Sequence, residues 1–303
     1  MMIQLICIID LEILLNLPNL GRFKSMLSES LRTRRLPFLL TALLLYGFVN
    51  QPNAHGAAPA QAEQTLSTRE DNRVIRDLAL ELLWVTPGAF AMGTVAGGYD
   101  SERPVTQVSI TKGYWLGKTE VTQGQWWALM GTRPAKFADD KRPVEQVSWH
   151  EVMAFCAKLT ERERTAGRLP AGFAYTLPTE AQWEYACRAG TTGDYAGDLD
   201  ALGWYDKNSL AETHLVGKKQ PNAWGFFDMH GNVWEWCLDW DANYLGDSSS
   251  DPQGEPVGLY RISRGGSWST SAIHCRSALR RGSEPNYRRV NLGFRLALSV
   301  VAK

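Results

Sequence analysis

The chain has 303 residues, of which 44% are hydrophobic and 21% are charged. This composition allows a sizeable core and excludes a globally disordered protein. Lysine plus arginine number 32 and aspartate plus glutamate also number 32, so the formal net charge is zero. Because nucleic-acid binding requires a basic surface, we expect no nucleic-acid partner.

The N-terminus has the pattern of an export leader. Arg34 and Arg35 precede an apolar run at 36–49, and small residues follow at 54–58. A basic segment, a short apolar segment and small residues near a cleavage point are typical of a signal peptide. The apolar run is short for a helix that spans a bilayer.

We therefore divide the chain into three parts. They are a leader at 1–56, with a signal peptide or uncleaved anchor at about 26–56 and Met26 as an alternative start, a linker at 57–79, and a single domain at 80–303. On this division the protein is periplasmic or otherwise exported. It contacts a membrane only through an uncleaved leader.

Four cysteines follow the leader: Cys156, Cys187, Cys237 and Cys275. An even number in an exported chain allows disulfides but does not fix their connectivity. The sequence has no Cys-x-x-Cys and no histidine at metal-ligand spacing from a cysteine, so we expect no zinc site.

Short strands are predicted in the first part of the domain. The run 82–86 meets a turn at Pro87-Gly88, a second run follows at 90–93, and a third strand is expected at Tyr114–Gly117. Hydrophobic residues in short runs that are bounded by turn residues indicate strands.

Three predicted helices begin with the same sequence pattern. Thr122, Ser148 and Thr179 are each followed three residues later by Gln or Glu, which is the pattern of a capping box. The first helix is expected to end at about Met130, and the third at Ala189-Gly190. After Gly190 the sequence shows no long periodic segment, so we expect an α+β domain rich in loops.

The segment 222–236 combines aromatic residues, carboxylates and glycines. Asp228, Glu235 and the carbonyls exposed by a turn at Gly231 are oxygen donors that suit a hard cation such as calcium. The alternative is a turn in which Asn and Asp side chains cap backbone groups. Composition leaves both interpretations open.

A second segment begins with Gly265-Gly266 and continues through several arginines. Arg276, Arg280 and Arg281 could hold an anion, but pairing with acidic residues is the simpler interpretation for any one of them. No Gly-Lys-Ser/Thr follows the glycines, so the segment is not a phosphate loop.

The motifs of this chain resemble, in sequence and in order, those of the formylglycine-generating enzyme (sulfatase-modifying factor) family over roughly residues 80–299. Motifs lie in family order at 92–93, 104–105, 118–122, 143–149, 177–185, 231–236, 264–268 and 293–295. The last three read Gly-Asn-Val-Trp-Glu-Trp, Arg-Gly-Gly-Ser-Trp and Gly-Phe-Arg. The resemblance implies an irregular α+β fold, akin to C-type lectins, with little regular secondary structure.

The resemblance also shows where this chain departs from the family. Members that make formylglycine bind copper(I) through two cysteines shortly after the Gly-Gly-Ser stretch, and soft thiolates suit that metal. Here the first position falls near Thr270, and the second falls near Cys275 only if the spacing shifts. We expect Cys275 to lie in the neighbouring β-strand as a disulfide candidate, and we expect no copper.

The family's calcium pattern is better preserved. It carries over to Asp228, the carbonyls of Gly231 and Val233, and Glu235, as ligands of a structural calcium ion. Asp228 stands where the family often has Asn, and its side chain still offers oxygen.

The leader and the missing cysteine pair suit the branch of the family that resembles the periplasmic pyoverdine-maturation oxidase. The first hypothesis is a tailoring or maturation oxidase that acts on a peptide-like or siderophore precursor. Its candidate site residues are Trp268, Ser269, Thr270, His274 and Arg276, with His274 as a general base.

The alternative is a non-catalytic, lectin-like module that binds a small molecule or a protein partner. Tryptophan and arginine would supply its contact area. A true formylglycine-generating oxidase that acts on sulfatases is a third hypothesis, and the cysteine argument disfavours it.

Overall fold

The computed structural model describes residues 71–300, so the predicted leader and most of the predicted linker lie outside the described residues. Regular structure begins before the expected domain boundary at residue 80. Strand β1 (Arg73–Ile75) pairs antiparallel with β2 (Leu80–Val85). Across residues 71–300 the helices are too short or too polar to cross a membrane.

The remaining elements are short. The strands are β3 (Gly88–Met92), β4 (Thr106–Ile110), β5 (Tyr114–Gly117), β6 (Phe173–Thr176), β7 (Trp234–Trp240), β8 (Ser249–Ser250), β9 (Arg261–Arg264), β10 (Arg280–Ser283), β11 (Leu292–Gly293) and β12 (Ala297–Val300). The helices are α1 (Gln123–Met130), α2 (Trp149–Thr165), α3 (Glu180–Arg188) and α4 (Leu199–Leu202). Short 3-10 turns lie at Arg76–Leu78, Asp100–Glu102 and Ala272–Cys275.

The described strands form three sheets. Their orders are β1-β2-β5-β12-β6, β10-β9-β7-β11 and β3-β4-β8. The pairs β7–β11 and β4–β8 are parallel and the others are antiparallel. Since helices and small sheets mix without a repeating order, the architecture agrees with the expected irregular α+β class.

The predicted capping boxes are present at three helices. The Thr122 hydroxyl accepts a hydrogen bond from the Gln125 backbone N–H, and the Gln125 side chain accepts one from the Thr122 N–H in return. The same reciprocal pair begins α2 and α3. Helix α3 ends where predicted, because Ala189 and Gly190 both adopt positive φ, at 45° and 90°. The helix boundaries at these ends are therefore confirmed.

Tryptophan side chains connect the helices to the sheets. The Trp149 indole at the start of α2 donates to the Cys237 carbonyl at 2.9 Å, and the Trp236 indole donates to the Val147 carbonyl at 3.0 Å. Both rings lie in the larger hydrophobic cluster. An indole brings a large apolar area and one N–H that needs an acceptor when it is buried. These two residues therefore fix α2 against β7.

The four described cysteines are free thiols buried in the protein. Burial raises the pKa of Cys187 and of Cys275 to about 12, so both are protonated at neutral pH. The expectation that Cys275 forms a disulfide is wrong. Its neighbours within 4 Å include the Thr270 hydroxyl rather than another sulfur.

Candidate functional site

The segment that carries the predicted site residues, residues 265–281, is called the site loop below. It follows β9 and reaches into β10, which are antiparallel neighbours. The Arg264 guanidinium at its start is fully buried, contacts Glu184, and donates to the carbonyl of Leu279 near the end of the loop. One side chain therefore closes the base of the loop.

The first residues of the loop must be glycines. Gly265 and Gly266 have φ of 95° and 75°, which side chains rarely adopt. A Cβ on Gly266 would also lie 2.5 Å from the Cys275 sulfur. The loop therefore folds back so that Cys275 packs on its own first turn.

This fold places positions 270 and 275 side by side. The Thr270 hydroxyl accepts from the Ser267 N–H at 2.9 Å, donates to the Ser267 carbonyl at 3.0 Å, and lies 3.9 Å from the Cys275 sulfur. Cys275 is the last residue of a 3-10 turn, so its expected place in a β-strand is wrong. The two positions where the resemblance sought the copper cysteines hold one hydroxyl and one protonated thiol. These residues do not fit copper(I), because that ion takes paired thiolates.

His274 lies beside an aromatic residue from a distant part of the chain. Its Nδ1 is 3.0 Å from the Ser271 hydroxyl, and its Nε2 is 3.5 Å from the Tyr99 hydroxyl. The two rings are stacked with centroids 6.2 Å apart. His274 is partly exposed, so its ring can be reached from solvent.

Arg276 is a buried structural tie. Its two terminal nitrogens donate to the Glu102 carboxylate at 2.8 and 2.6 Å, and its Nε donates to the Ile273 carbonyl at 3.0 Å. Glu102 and Arg276 are only 0% and 2% exposed. Since all three nitrogens are engaged, Arg276 holds the Tyr99 segment against the site loop.

Trp268 and Ser269 contact segments outside the site loop. The Trp268 indole donates to the Val290 carbonyl at 3.1 Å, and its ring meets Phe137 edge to face at 5.4 Å. The Ser269 hydroxyl accepts from the Asn291 side chain at 2.9 Å. Of the five predicted site residues, Thr270 and His274 share one concave surface.

That surface is a cavity of about 440 Å³, called the Tyr99 cleft below. It is lined by Tyr99, Ser101, Trp234, Thr270, His274, Leu279, Arg280 and Arg281. The sequence analysis did not assign Tyr99 or Trp234 to the site. The segment 231–236 was a signal for Trp234, but Tyr99 lies in an acidic loop that has no distinguishing motif.

The proposed calcium position contains a buried oxygen without a partner. Asp228 is 1% exposed and has φ of 58°, and its Oδ2 accepts from the Gly217 N–H at 2.7 Å. Its Oδ1 has no hydrogen-bond partner among residues 71–300. Burial raises the pKa of Asp228 to about 6. A carboxylate oxygen in this state fits a hard cation.

The neighbouring carboxylates already accept hydrogen bonds from other groups. Glu235 is paired with Arg295 through two contacts of 2.6 Å, and it also accepts from the Trp183 indole at 2.7 Å. Glu120, which the sequence analysis missed, accepts from the Val233 N–H at 3.1 Å, and burial raises its pKa well above the ordinary value. Within residues 71–300, no three His, Cys, Asp or Glu side chains are arranged to hold a metal by themselves. A cation here would need the backbone carbonyls as well.

The protein is an irregular α+β domain built from short sheets and capped helices. Its cleft lies at the site loop, which begins with two glycines. The family model for the sulfatase-modifying factor enzyme 1-like domain matches residues 70–300. The chain therefore belongs to the formylglycine-generating enzyme (sulfatase-modifying factor) family. The match begins ten residues before the expected domain boundary, consistent with β1.

Two relatives illustrate the range of the family. The formylglycine-generating enzyme of Streptomyces coelicolor is 31% identical, over 81% of this chain and 74% of its own. The chaperone protein LppX of Paenibacillus barcinonensis is 30% identical, over 68% of this chain and 83% of its own.

Two solved structures share the fold. Treponema denticola variable protein 1 is 32% identical with a TM-score of 0.69, over 75% of this chain and 98% of that chain. PvdO from Pseudomonas aeruginosa is 24% identical with a TM-score of 0.66, over 76% of this chain and 98% of that chain. The irregular α+β expectation is confirmed, and the PvdO likeness extends to the fold alone.

Arg276→Met tests the structural assignment of this arginine. We expect the free energy of unfolding to fall by about 3–5 kcal/mol, because Glu102 would remain buried without its counter-charge. Denaturant titration measures the change. The control is Arg288→Met, which removes a half-exposed pair with Glu151 and should cost about 1 kcal/mol or less. Equal losses in the two variants would contradict the assignment.

Thr270→Cys tests whether positions 270 and 275 correspond to the copper pair. We expect the variant to retain about one copper(I) per chain after gel filtration in reductant, because two adjacent thiols can then share the ion. The wild type and Thr270→Ser should retain none at this position. Metal analysis of the eluted protein is the measurement, and a copper-free Thr270→Cys protein would refute the correspondence.

Proposed function

We propose that the chain is an exported, copper-independent member of its family that binds a peptide-like or siderophore-type molecule in the Tyr99 cleft. The observation that carries the proposal is the position of this cleft. It opens beside Thr270 and His274, at the loop where the family resemblance locates catalysis. Export rests on the leader pattern at the N-terminus.

The cleft has the composition of a ligand site. Tyr99 and His274 offer aromatic surface, the almost fully buried Trp234 contributes to the wall, and Arg280 and Arg281 add cationic groups. Binding sites commonly combine apolar and aromatic walls with a few polar groups that orient the ligand. Aromatic residues and arginine also contribute the most binding energy per residue in many interfaces.

The walls of the cleft are held in place before any ligand arrives. Arg276 joins the Tyr99 segment to the site loop through Glu102. Arg280 is bound to Glu180 through contacts of 2.8 and 2.7 Å. A rigid site loses less conformational entropy on binding, so more of the contact energy appears as affinity. The two relatives described above are named an enzyme and a chaperone. Both kinds of protein must bind another molecule.

A second candidate is a tailoring or maturation oxidase that acts on the same class of molecule. The contact between His274 Nε2 and the Tyr99 hydroxyl, at 3.5 Å in the cleft, favours it. A histidine within reach of a bound molecule can accept a proton as that molecule reacts. His274 would then act as the general base, whereas in the binding module it would only contact the ligand.

Binding and turnover can be separated with the full-length protein and a metabolite extract from a strain that lacks it. Molecules retained by the wild type on gel filtration are identified by mass spectrometry. We expect Tyr99→Ala to reduce their retention about tenfold, because an aromatic wall of the cleft is lost. His150→Ala, which alters an exposed histidine outside the cleft, should retain them fully.

The same mixtures report on catalysis. The oxidase candidate takes dioxygen as its electron acceptor, so that a molecule losing two hydrogens yields hydrogen peroxide. It is supported if molecules lose two hydrogens with the wild type in air, but not with the wild type without dioxygen or with His274→Ala, while retention persists. If retention occurs without any change of mass, the chain is a binding module. If neither the wild type nor His150→Ala retains a compound from the extract, the proposed function is wrong.

We also propose that a structural calcium ion binds at Asp228, with the carbonyls of Gly231 and Val233 and with Glu235. The unpaired Asp228 Oδ1 supports the proposal, because a buried carboxylate oxygen without a donor is costly. Calcium takes six to eight oxygens, which explains why carbonyls are needed beside the two carboxylates. The ion would connect the turn at 228–233 to the start of β7.

Calcium removal tests this site. We expect calcium at about 100 times its dissociation constant to raise the free energy of unfolding by about 2.7 kcal/mol relative to chelator. The increment should vanish in Asp228→Ala. Asp239→Asn alters another buried aspartate and should keep it. Thermal unfolding with calcium and with chelator provides the comparison, and an undiminished increment in Asp228→Ala would exclude the site.

A further inference from the structure

One residue that lines the Tyr99 cleft carries a buried hydrogen-bond donor without an acceptor. Trp234 lines the cleft and is 2% exposed. Its indole Nε1 is buried and meets no acceptor among residues 71–300. Six other indole nitrogens have acceptors, those of Trp115, Trp126, Trp149, Trp183, Trp236 and Trp268, whereas the buried indole nitrogens of Trp84 and Trp204 also lack one. Of the three unpaired indoles, only that of Trp234 belongs to a residue that lines the Tyr99 cleft. Buried polar groups without partners are uncommon in proteins, and a bound ligand can supply the missing acceptor.

A cation without a counter-charge lies against the same ring. The Arg281 guanidinium carbon is 5.7 Å from the Trp234 ring centroid, and Arg281 also lines the cleft. No carboxylate among residues 71–300 lies within ion-pair distance of Arg281. Arg276 and Arg280, its neighbours in the chain, are both paired with buried glutamates. Arg281 is therefore the cation that remains available at the cleft.

The charges around the cleft agree in sign. Its lining residues include two arginines and a histidine and no aspartate or glutamate within the described residues. Arg280 keeps its charge partly balanced by Glu180, whereas Arg281 has no such partner. A carboxylate matches the planar fork of a guanidinium, and its second oxygen can accept from a nearby indole.

We propose that the Tyr99 cleft recognises a carboxylate on its ligand, which is held between the Trp234 indole N–H and the Arg281 guanidinium. This inference rests on the proposed function and specifies its substrate class as acidic molecules such as acylated amino acids and peptide C-termini. Tyr99 and Leu279 provide surface for the apolar part next to the carboxylate. The acidic group fixes the orientation of the ligand in the cleft.

A matched pair of small probes tests the proposal on the full-length protein. Hippurate, a benzoylated glycine, carries the carboxylate, and hippuramide replaces it with a neutral amide. Indole N–H signals of the twelve tryptophans are followed by ¹⁵N-labelled NMR during titration. Trp234→Phe assigns the Trp234 signal. We expect hippurate to shift that signal and to bind at least about tenfold more tightly than hippuramide, because one partner loses its charge.

Arg281→Gln supplies the second measurement and does not depend on the folding of the Trp234 variant. We expect it to weaken hippurate about tenfold and to leave hippuramide unchanged, since only the charged pair is removed. Arg288→Gln alters an exposed arginine outside the cleft and should leave both probes unchanged. Equal binding of the two probes, a Trp234 signal that does not move, or an unaffected Arg281→Gln protein would overturn the inference. Retention of a neutral metabolite by the wild type would then leave the binding function intact without the carboxylate requirement.

Discussion

The buried ion pairs around Arg264 hold together parts of the protein that share little regular structure. Arg264 lies on β9 and contacts Glu184 and Glu180, both on α3. Glu180 also binds Arg280 on β10, and Glu184 also binds Arg188 at 2.7 Å. These groups are almost completely excluded from water. Removing one member would leave a buried charge uncompensated, so the network fixes α3, β9 and β10 as one unit.

The site depends on that unit because its loop begins and ends there. The loop path is then set by backbone geometry, with two consecutive glycines in positive φ and a sulfur packed against them. A second ion pair, Arg276 with Glu102, brings the Tyr99 segment across to the loop. The cleft is therefore a product of three distant segments that charges hold together. Such an arrangement gives a preformed shape without requiring a sheet beneath it.

Whether a feature of the fold could be predicted from the sequence depends on how far apart along the chain its interacting residues lie. Helix starts were predicted to the residue, because a capping box involves only neighbours along the chain. Strand β7 was missed, since nearly all of its residues are buried and its sequence lacks the alternation that marks a half-exposed strand. The adjacency of Thr270 and Cys275 was missed because it requires the tight turn at Gly266. Tyr99 and Glu120 reach their sites only through contacts across the fold, which local patterns do not contain.

Because Arg264 joins the two ends of the site loop, the residues that fix the path of the loop differ from those that border the cleft. Residues that fix the path of the loop, such as Gly266 and Arg276, point into the protein, whereas Thr270, His274 and Arg281 border the cleft. On the proposed function, substitutions at the second set would change what is bound while the first set preserves the fold. A designer could therefore vary those positions as a small library on an otherwise constant scaffold.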